Sequence, residues 1–118
     1  MSEPTITIRI DRPAGMVITT LSGALNTCDQ VESLRHTLDD VPRGYSLIVE
    51  LDAMTSLSAR SLGCLRDLAL SATREGTRLI LVSESLDVRA NLILADLDSL
   101  APVLHNLTQA TQVVAAAA

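Results

Sequence analysis

Aromatic side chains are nearly absent from this 118-residue chain, which has one tyrosine, no phenylalanine and no tryptophan. Proteins that bind single-stranded nucleic acids stack the bases on aromatic rings, and proteins that grip phosphates have an excess of Lys and Arg. This chain has neither feature, because it has a single aromatic residue and a formal net charge of −5. We therefore expect no nucleic-acid partner, and a core built from Leu, Ile, Val and Ala.

Long apolar runs are also missing from the sequence. No run approaches the ~20 residues that cross a bilayer, and the first residues lack the basic start and apolar centre of a secretion signal. These absences predict a cytoplasmic protein with no direct insertion into a membrane. The length predicts a single domain over residues 1–118, with frayed ends at 1–4 and 115–118.

Motifs for catalysis, cofactors and metals are absent as well. The chain has no P-loop, no dinucleotide fingerprint, no nucleophile elbow and no calcium loop. His36 and His105 have no partner residue at a recognisable spacing, so we expect surface or capping roles for them. Cys28 and Cys64 are too few for a disulfide framework and lack the spacing of a metal site. The sequence therefore predicts no enzyme activity, no cofactor and no metal.

Four apolar patterns predict the main β-strands. Thr5–Ile10 alternates polar and apolar residues, as a strand with one buried face does, and Met16–Leu21 follows it after a short turn. These two strands are expected to form an antiparallel hairpin at one edge of a sheet. Leu47–Leu51 and Leu79–Val82 are nearly continuous apolar runs, which suit parallel strands covered on both faces.

Helical spacing and capping residues predict four helices after these strands. The second is expected to run from about Ser61 to Glu75 and to end at Gly76. A loop is predicted at residues 96–99 and a short last strand at 103–104. The fold class is therefore α/β, a single domain with a mixed four- to five-stranded sheet and about four helices. The capping residues of the four helices are Thr27, Ser58, Ser85 and Asn106.

The polar turn between the strand Leu47–Leu51 and the second helix is the most informative segment. It and the helix start contain three serines and one arginine, with no histidine and no glycine cradle. The start of a helix carries unpaired backbone N–H groups and a partial positive charge, so it can present a hydroxyl or bind an anion. This layout predicts a surface that another protein reads, not a reaction centre.

At this turn the chain resembles the STAS domain family, the bacterial anti-sigma factor antagonists (anti-anti-sigma factors) and their relatives. The family pattern is a strand, then roughly D-L-S-x-V-x-F-[ILM]-D-S-S-G-L-G-x-L, then a helix. Glu50–Leu57 matches the approach to the turn and Leu62–Leu65 matches the exit. Leu21–Asn26 resembles the family's strand-end G-E-L-D, and Gly76–Val82 resembles its second central strand. The resemblance covers nearly the whole domain in the right order and implies a STAS-like fold.

The chain departs from the family where the family carries its phosphorylation switch. In place of D-S-S-G it has Ser58, Ala59, Arg60 and Ser61. The family's phosphate-accepting serine therefore falls on Arg60, and Asn26 stands where an acid is usual. The resemblance thus implies an interaction domain that binds its partner without the usual serine switch.

Arg60 has two interpretations. Its guanidinium either extends into solvent on the face that Asp67 and Arg74 share, or makes a fixed contact with an acidic patch on a partner. Phosphorylation of a serine adds nearly two negative charges, whereas Arg60 sets a permanent positive charge at the helix start. Ser58 is expected to cap the helix, and Ser58 and Ser61 are the remaining candidates for phosphorylation.

The two cysteines are expected near the same surface. Cys28 and Cys64 fall near the starts of two helices that follow parallel strands, so both are predicted at one end of the sheet. Buried free thiols that act as small hydrophobes are the default interpretation, and a redox switch is the alternative. A disulfide needs Cα atoms within about 7 Å, which helices packed side by side often fail to provide.

The resemblance implies a non-enzymatic protein-interaction domain in bacterial transcription regulation, with a kinase-like anti-sigma factor as its partner. One alternative is a cytoplasmic STAS-type subunit of a membrane (lipid) transport ATPase complex. A third interpretation is a divergent subunit of a larger stress-sensing assembly, so an oligomer is left open. The implied binding residues are Asn26, Thr27, Leu57, Ser58, Ala59, Arg60, Ser61, Leu62 and Gly63.

Overall fold

A five-stranded mixed sheet lies at the centre of the protein. A computed structural model describes residues 5–11, 15–22, 24–25, 35–36, 39–51 and 56–116. The large sheet has the strand order β1-β2-β4-β6-β7, and a small second sheet pairs β3 with β5. The strands are β1 (Thr5–Asp11), β2 (Met16–Ser22), β3 (Ala24–Leu25), β4 (Ser46–Leu51), β5 (Ser56–Leu57), β6 (Arg78–Ser83) and β7 (Val103–Leu104).

The pairing of the large sheet confirms the predicted strands. Strands β1 and β2 form an antiparallel hairpin at one edge, whereas β2, β4, β6 and β7 run parallel to one another. The apolar runs in β4 and β6 are buried, as strands covered on both faces require. Glu50 is the polar exception in β4, and its Oε1 accepts a hydrogen bond from Oγ1 of Thr20 at 3.1 Å.

Three α-helices are described, and their ends agree with the predicted capping residues. They are α1 (Ala59–Glu75), α2 (Leu86–Leu94) and α3 (Leu107–Ala116). Gly76 ends α1 in the left-handed region, at φ 73°, and its N–H donates to carbonyls of the last turn. Oδ1 of Asn106 accepts the N–H of Gln109 at 2.8 Å at the start of α3.

The core has two layers because side chains alternate between the faces of the sheet. Helices α1 and α2 cover the first face, which includes Leu47, Val49 and Leu51 of β4. The second face includes Ile48 and is packed against Ala110 and Val114 of α3. All these residues are aliphatic, as the near absence of aromatic residues predicts.

Two predicted elements have a different outcome. The first predicted helix lies largely outside the described residues, of which 35–36 and 39–40 are helical. The loop predicted at 96–99 is wrong, because Leu97–Ser99 form a 3-10 helix and Leu97 is fully buried. A three-residue element is too short to show helical periodicity in a sequence. The predicted α/β class and the five-stranded mixed sheet are confirmed.

Candidate protein-interaction site

The start of α1 is held against a second segment of chain by the small sheet. Strand β5 directly precedes Ser58 and pairs in parallel with β3, with Ala24 opposite Ser56 and Leu25 opposite Leu57. Asn26 and Thr27, two of the predicted binding residues, lie outside the described residues. They follow Leu25 directly in the chain, just as Ser58 follows Leu57.

Two serines form the cap of α1, which confirms the prediction for Ser58. Ser58 has an extended backbone, with φ −83° and ψ 163°, and its Oγ accepts the N–H of Ser61 at 3.1 Å. The two hydroxyl groups also share a hydrogen bond of 3.0 Å. One side chain therefore satisfies a backbone donor at the helix start, and the other completes the same small network.

Burial separates the residues of this segment into two groups. Ser61 is 0% exposed, and Ser58, Leu57 and Leu62 are half-buried. The exposed members, which form the outer surface of the helix start, are Ala59, Arg60 and Gly63. We call the segment Leu57–Gly63 the helix-start surface.

Arg60 supplies the charge of the helix-start surface. It is exposed, on the same side of α1 as the exposed residues Asp67 and Arg74. The first turn of α1 contains no acidic residue, and the N-terminus of a helix carries a partial positive charge of its own. A cation at the N-terminal end of a helix interacts unfavourably with the helix dipole, at a cost of about 0.3–1 kcal/mol. The arrangement favours an anionic group on whatever binds there.

The start of α2 lies at the same edge of the sheet as the start of α1, because the two helices follow the adjacent parallel strands β4 and β6. Helix α2 packs against β5, and Oγ of Ser85 caps it by accepting the N–H of Val88 at 3.3 Å. Leu86, the first helical residue, is 71% exposed. A signal was present in the sequence, because Leu86 lies off the apolar stripe that Val88 and Leu92 define.

The guanidinium of Arg89 stabilises the start of α2 by a hydrogen bond to the end of β6. Nη1 of Arg89 donates to the carbonyl oxygen of Ser83 at 2.7 Å, and Oγ of Ser83 accepts the N–H of Ser85 at 3.1 Å. Ser83 is fully buried at the end of β6. These bonds tie the first turn of α2 to the sheet, so Leu86 projects from a braced position.

The state of Cys64 contradicts its default interpretation as a free thiol. It lies in the second turn of α1, is half-buried, and packs against the core layer under α1 and α2. Cys64 is disulfide-bonded, so the free-thiol interpretation is wrong for this residue. Cys28, the other cysteine of the chain, lies outside the described residues.

The described residues contain no cluster of three or more metal-ligating side chains. His36 and His105 are both exposed, as predicted for surface residues. None of the helices in the described ranges has the length and apolarity needed to cross a bilayer.

Comparisons with known proteins show the fold and leave the family open. No family model matches the chain, and no curated protein matches it. Among solved structures, the NMR structure of the protein TM1081 is similar, with a TM-score of 0.69 and 22% sequence identity. The similarity covers 91% of this chain and 86% of that one. The fold is shared. The likeness extends over nearly the whole of both chains, so the α/β architecture is that of a known class of structure.

Proposed function

We propose that this protein is a non-enzymatic, cytoplasmic interaction domain of the STAS type, which acts as an anti-sigma factor antagonist. Its partner is a kinase-like anti-sigma factor, bound through the helix-start surface and Leu86. One observation carries the proposal: an exposed Arg60 lies in the first turn of a helix whose flanking serines are held in its cap. That geometry presents a fixed charge to a partner.

The charge and the shape of the surface indicate the chemistry of the partner. Arg60 and the N-terminal end of α1 together attract carboxylates, so the partner presents an acidic patch at this point. Leu86 is an exposed apolar side chain on a braced helix start, and it fits an apolar pocket beside that patch. A buried apolar anchor next to a charge pair is a usual arrangement for a tight protein interface.

The contact is proposed to be permanent because neither Ser58 nor Ser61 is placed to accept a phosphate. Ser61 is fully buried, and the Oγ of Ser58 accepts the Ser61 N–H. A kinase must bring the hydroxyl oxygen of the acceptor serine into its own active site. Transfer of a phosphate to Ser58 or to Ser61 therefore requires the helix cap to open first. Arg60 occupies the exposed position where the STAS pattern has its acceptor.

We expect Arg60→Glu to weaken partner binding by at least about tenfold, because like charges facing each other cost several kcal/mol. The tagged full-length protein is used to capture its partner from the organism that encodes it, and affinity is then measured by calorimetry. Arg74→Glu is the matched control, since it makes the same charge change at the exposed far end of α1. Equal affinity of wild type and Arg60→Glu contradicts the proposal, as does capture of a transport ATPase with no anti-sigma factor.

We also expect no phosphate on the wild-type protein after incubation with the captured kinase-like partner and ATP. Intact-mass spectrometry measures this directly. The variant Arg60→Ser restores a hydroxyl at the exposed position and is expected to gain one phosphate, which shows that the kinase is active. A phosphate on Ser58 or Ser61 of the wild type overturns the claim of a permanent contact.

A further inference from the structure

The outer face of α2 carries a row of exposed apolar side chains. Residues at the spacing i, i+4, i+7 and i+8 share one face of a helix. In α2 these positions hold four exposed apolar residues, Leu86, Ala90, Ile93 and Leu94. Leu86 is 71% exposed and Leu94 is 84% exposed. We call these four residues the outer row of α2; the proposed function uses only Leu86, the first of them.

The inner face of the same helix belongs to the core. Val88 is 4% exposed and Leu92 is 0% exposed, and both are part of the layer between the helices and the first face of the sheet. A helix that is apolar on two opposite faces is typical of one that is covered on both, and an exposed apolar surface on a folded domain commonly marks a contact with another molecule. The core covers one face of α2, so the outer row is available to a second molecule.

Both ends of α2 are fixed to the rest of the domain. At the start of the helix, Arg89 bonds to the end of β6, as described above. At its end, Nη1 of Arg66 donates to the carbonyl oxygen of Ala95 at 3.2 Å, and the N–H of Asp96 donates to the carbonyl oxygen of Ile93 at 2.9 Å. A surface that is ordered before binding loses little conformational freedom on association, so the outer row is well suited to docking.

Acidic residues lie at both ends of the outer row. Glu84 and Asp87 are exposed at the start of α2, and Asp98 is exposed shortly after its end. Asp96 is also exposed, and its carboxylate lies 3.8 Å from the guanidinium of Arg66, which offsets its charge. The surroundings of the outer row are therefore negative. They favour a partner that carries Lys and Arg beside its own apolar residues.

We propose that the outer row of α2 is a docking surface for an amphipathic, basic helix of another protein. Leu86, Ala90 and Leu94 form a ridge of the i±4 type, which fits the groove between the side-chain rows of a second helix. The small side chain of Ala90 allows a close approach at the middle of the ridge. Apolar side chains of the partner helix pack on the ridge, and its Lys and Arg side chains lie against the acids at the two ends of α2. The inference goes beyond the proposed function and does not depend on which protein binds the helix-start surface.

The same acids disfavour the other occupants of an exposed apolar face. A second copy of this chain brings identical acids to the contact. Because acids lie at both ends of α2, any pairing of two α2 helices sets acid against acid, which is unfavourable. A surface of anionic lipids is repelled in the same way, since such a surface attracts basic segments. A basic helix satisfies both the apolar row and the charges around it.

The docking surface is tested with two synthetic helical peptides of about 18 residues, or five helical turns. Both have leucine along one face, and the remaining positions hold lysine in the first peptide and glutamate in the second. Each peptide is titrated into the isotope-labelled full chain and followed by NMR. We expect the lysine peptide to shift the amide signals of Leu86–Leu94 and to bind at least about tenfold more tightly than the glutamate peptide. Shifts confined to other elements, equal affinities of the two peptides, or no binding of the lysine peptide at about 1 mM overturn the proposal.

Ile93→Ser is the decisive variant, and Ile8→Ser is its matched control. Ile93 on α2 is 51% exposed and Ile8 on β1 is 52% exposed, so each substitution removes the same half-exposed side chain. We expect Ile93→Ser to weaken binding of the lysine peptide about five- to tenfold, because the contact loses part of an isoleucine that binding buries. Ile8→Ser is expected to leave the affinity within about twofold of the wild type. Equal effects of the two substitutions overturn the proposal. A wild-type dimer in sedimentation that Ile93→Ser dissociates also overturns it, since a second copy then occupies the row.

Discussion

Replacing Ser61 with aspartate is expected to lower the free energy of unfolding by about 3–5 kcal/mol, the usual cost of an uncompensated buried charge. The residue is 0% exposed, and its backbone N–H and hydroxyl both bond to Ser58. A carboxylate at position 61 loses its hydration, which one hydrogen bond from the Ser58 hydroxyl does not replace. Because domains of this size are stable by only about 5–15 kcal/mol, the variant is expected to be partly unfolded at moderate temperature.

Ser58→Asp is the matched control for this experiment. Aspartate caps helices about as well as serine, and a negative charge at a helix start is favourable by about 0.3–1 kcal/mol. We therefore expect its stability to remain within about 1 kcal/mol of the wild type. Urea unfolding followed by circular dichroism measures both variants. A Ser61→Asp protein as stable as Ser58→Asp contradicts the burial of Ser61, and with it the outward placement of Arg60.

Leu65→Ala is expected to cost about 2–5 kcal/mol, as truncation of a fully buried leucine usually does. Leu65 is 1% exposed and is part of the layer through which α1 packs on the sheet. The substitution leaves a cavity under the helix that carries the candidate interaction site. We expect partner affinity to fall only as far as the fraction of folded protein falls, because Leu65 itself is not on the surface.

Leu70→Ala is the matched control, because it makes the same substitution, with the same change in helix propensity, at an exposed position. It lies in the same helix but is 36% exposed, so we expect a loss of about 1 kcal/mol or less. The free energy of unfolding from urea titration gives the comparison. Equal losses at the two positions contradict the packing of α1 described above.

The parts of the fold that could be predicted have a strong local signal. The hairpin of β1 and β2 shows an alternating pattern and a turn, and the start of α2 shows a capping serine followed by Asp87 in the first turn. The end of α1 shows a glycine at the position where a left-handed residue is needed. In each case a few neighbouring residues determine the backbone, so one sequence is enough.

The features that were missed depend on contacts between distant residues or on very short elements. Strands β3 and β5 have two residues each, which is too few for any alternation to be seen. The disulfide of Cys64 depends on a distance between sulfur-bearing positions that a sequence does not contain. Leu86 was assigned to α2 correctly, but its exposure and the packing of α2 on β5 follow from the fold.

The cap of α1 also bears on how this protein can change over evolutionary time. Ser58 and Ser61 share a hydrogen bond at the helix start, and position 60 in the same turn is exposed. Under the proposed function, substitutions at this exposed position alter which partner is recognised or restore a site for a kinase. Under the proposed function, selection can therefore change recognition at position 60 while the serine cap is maintained.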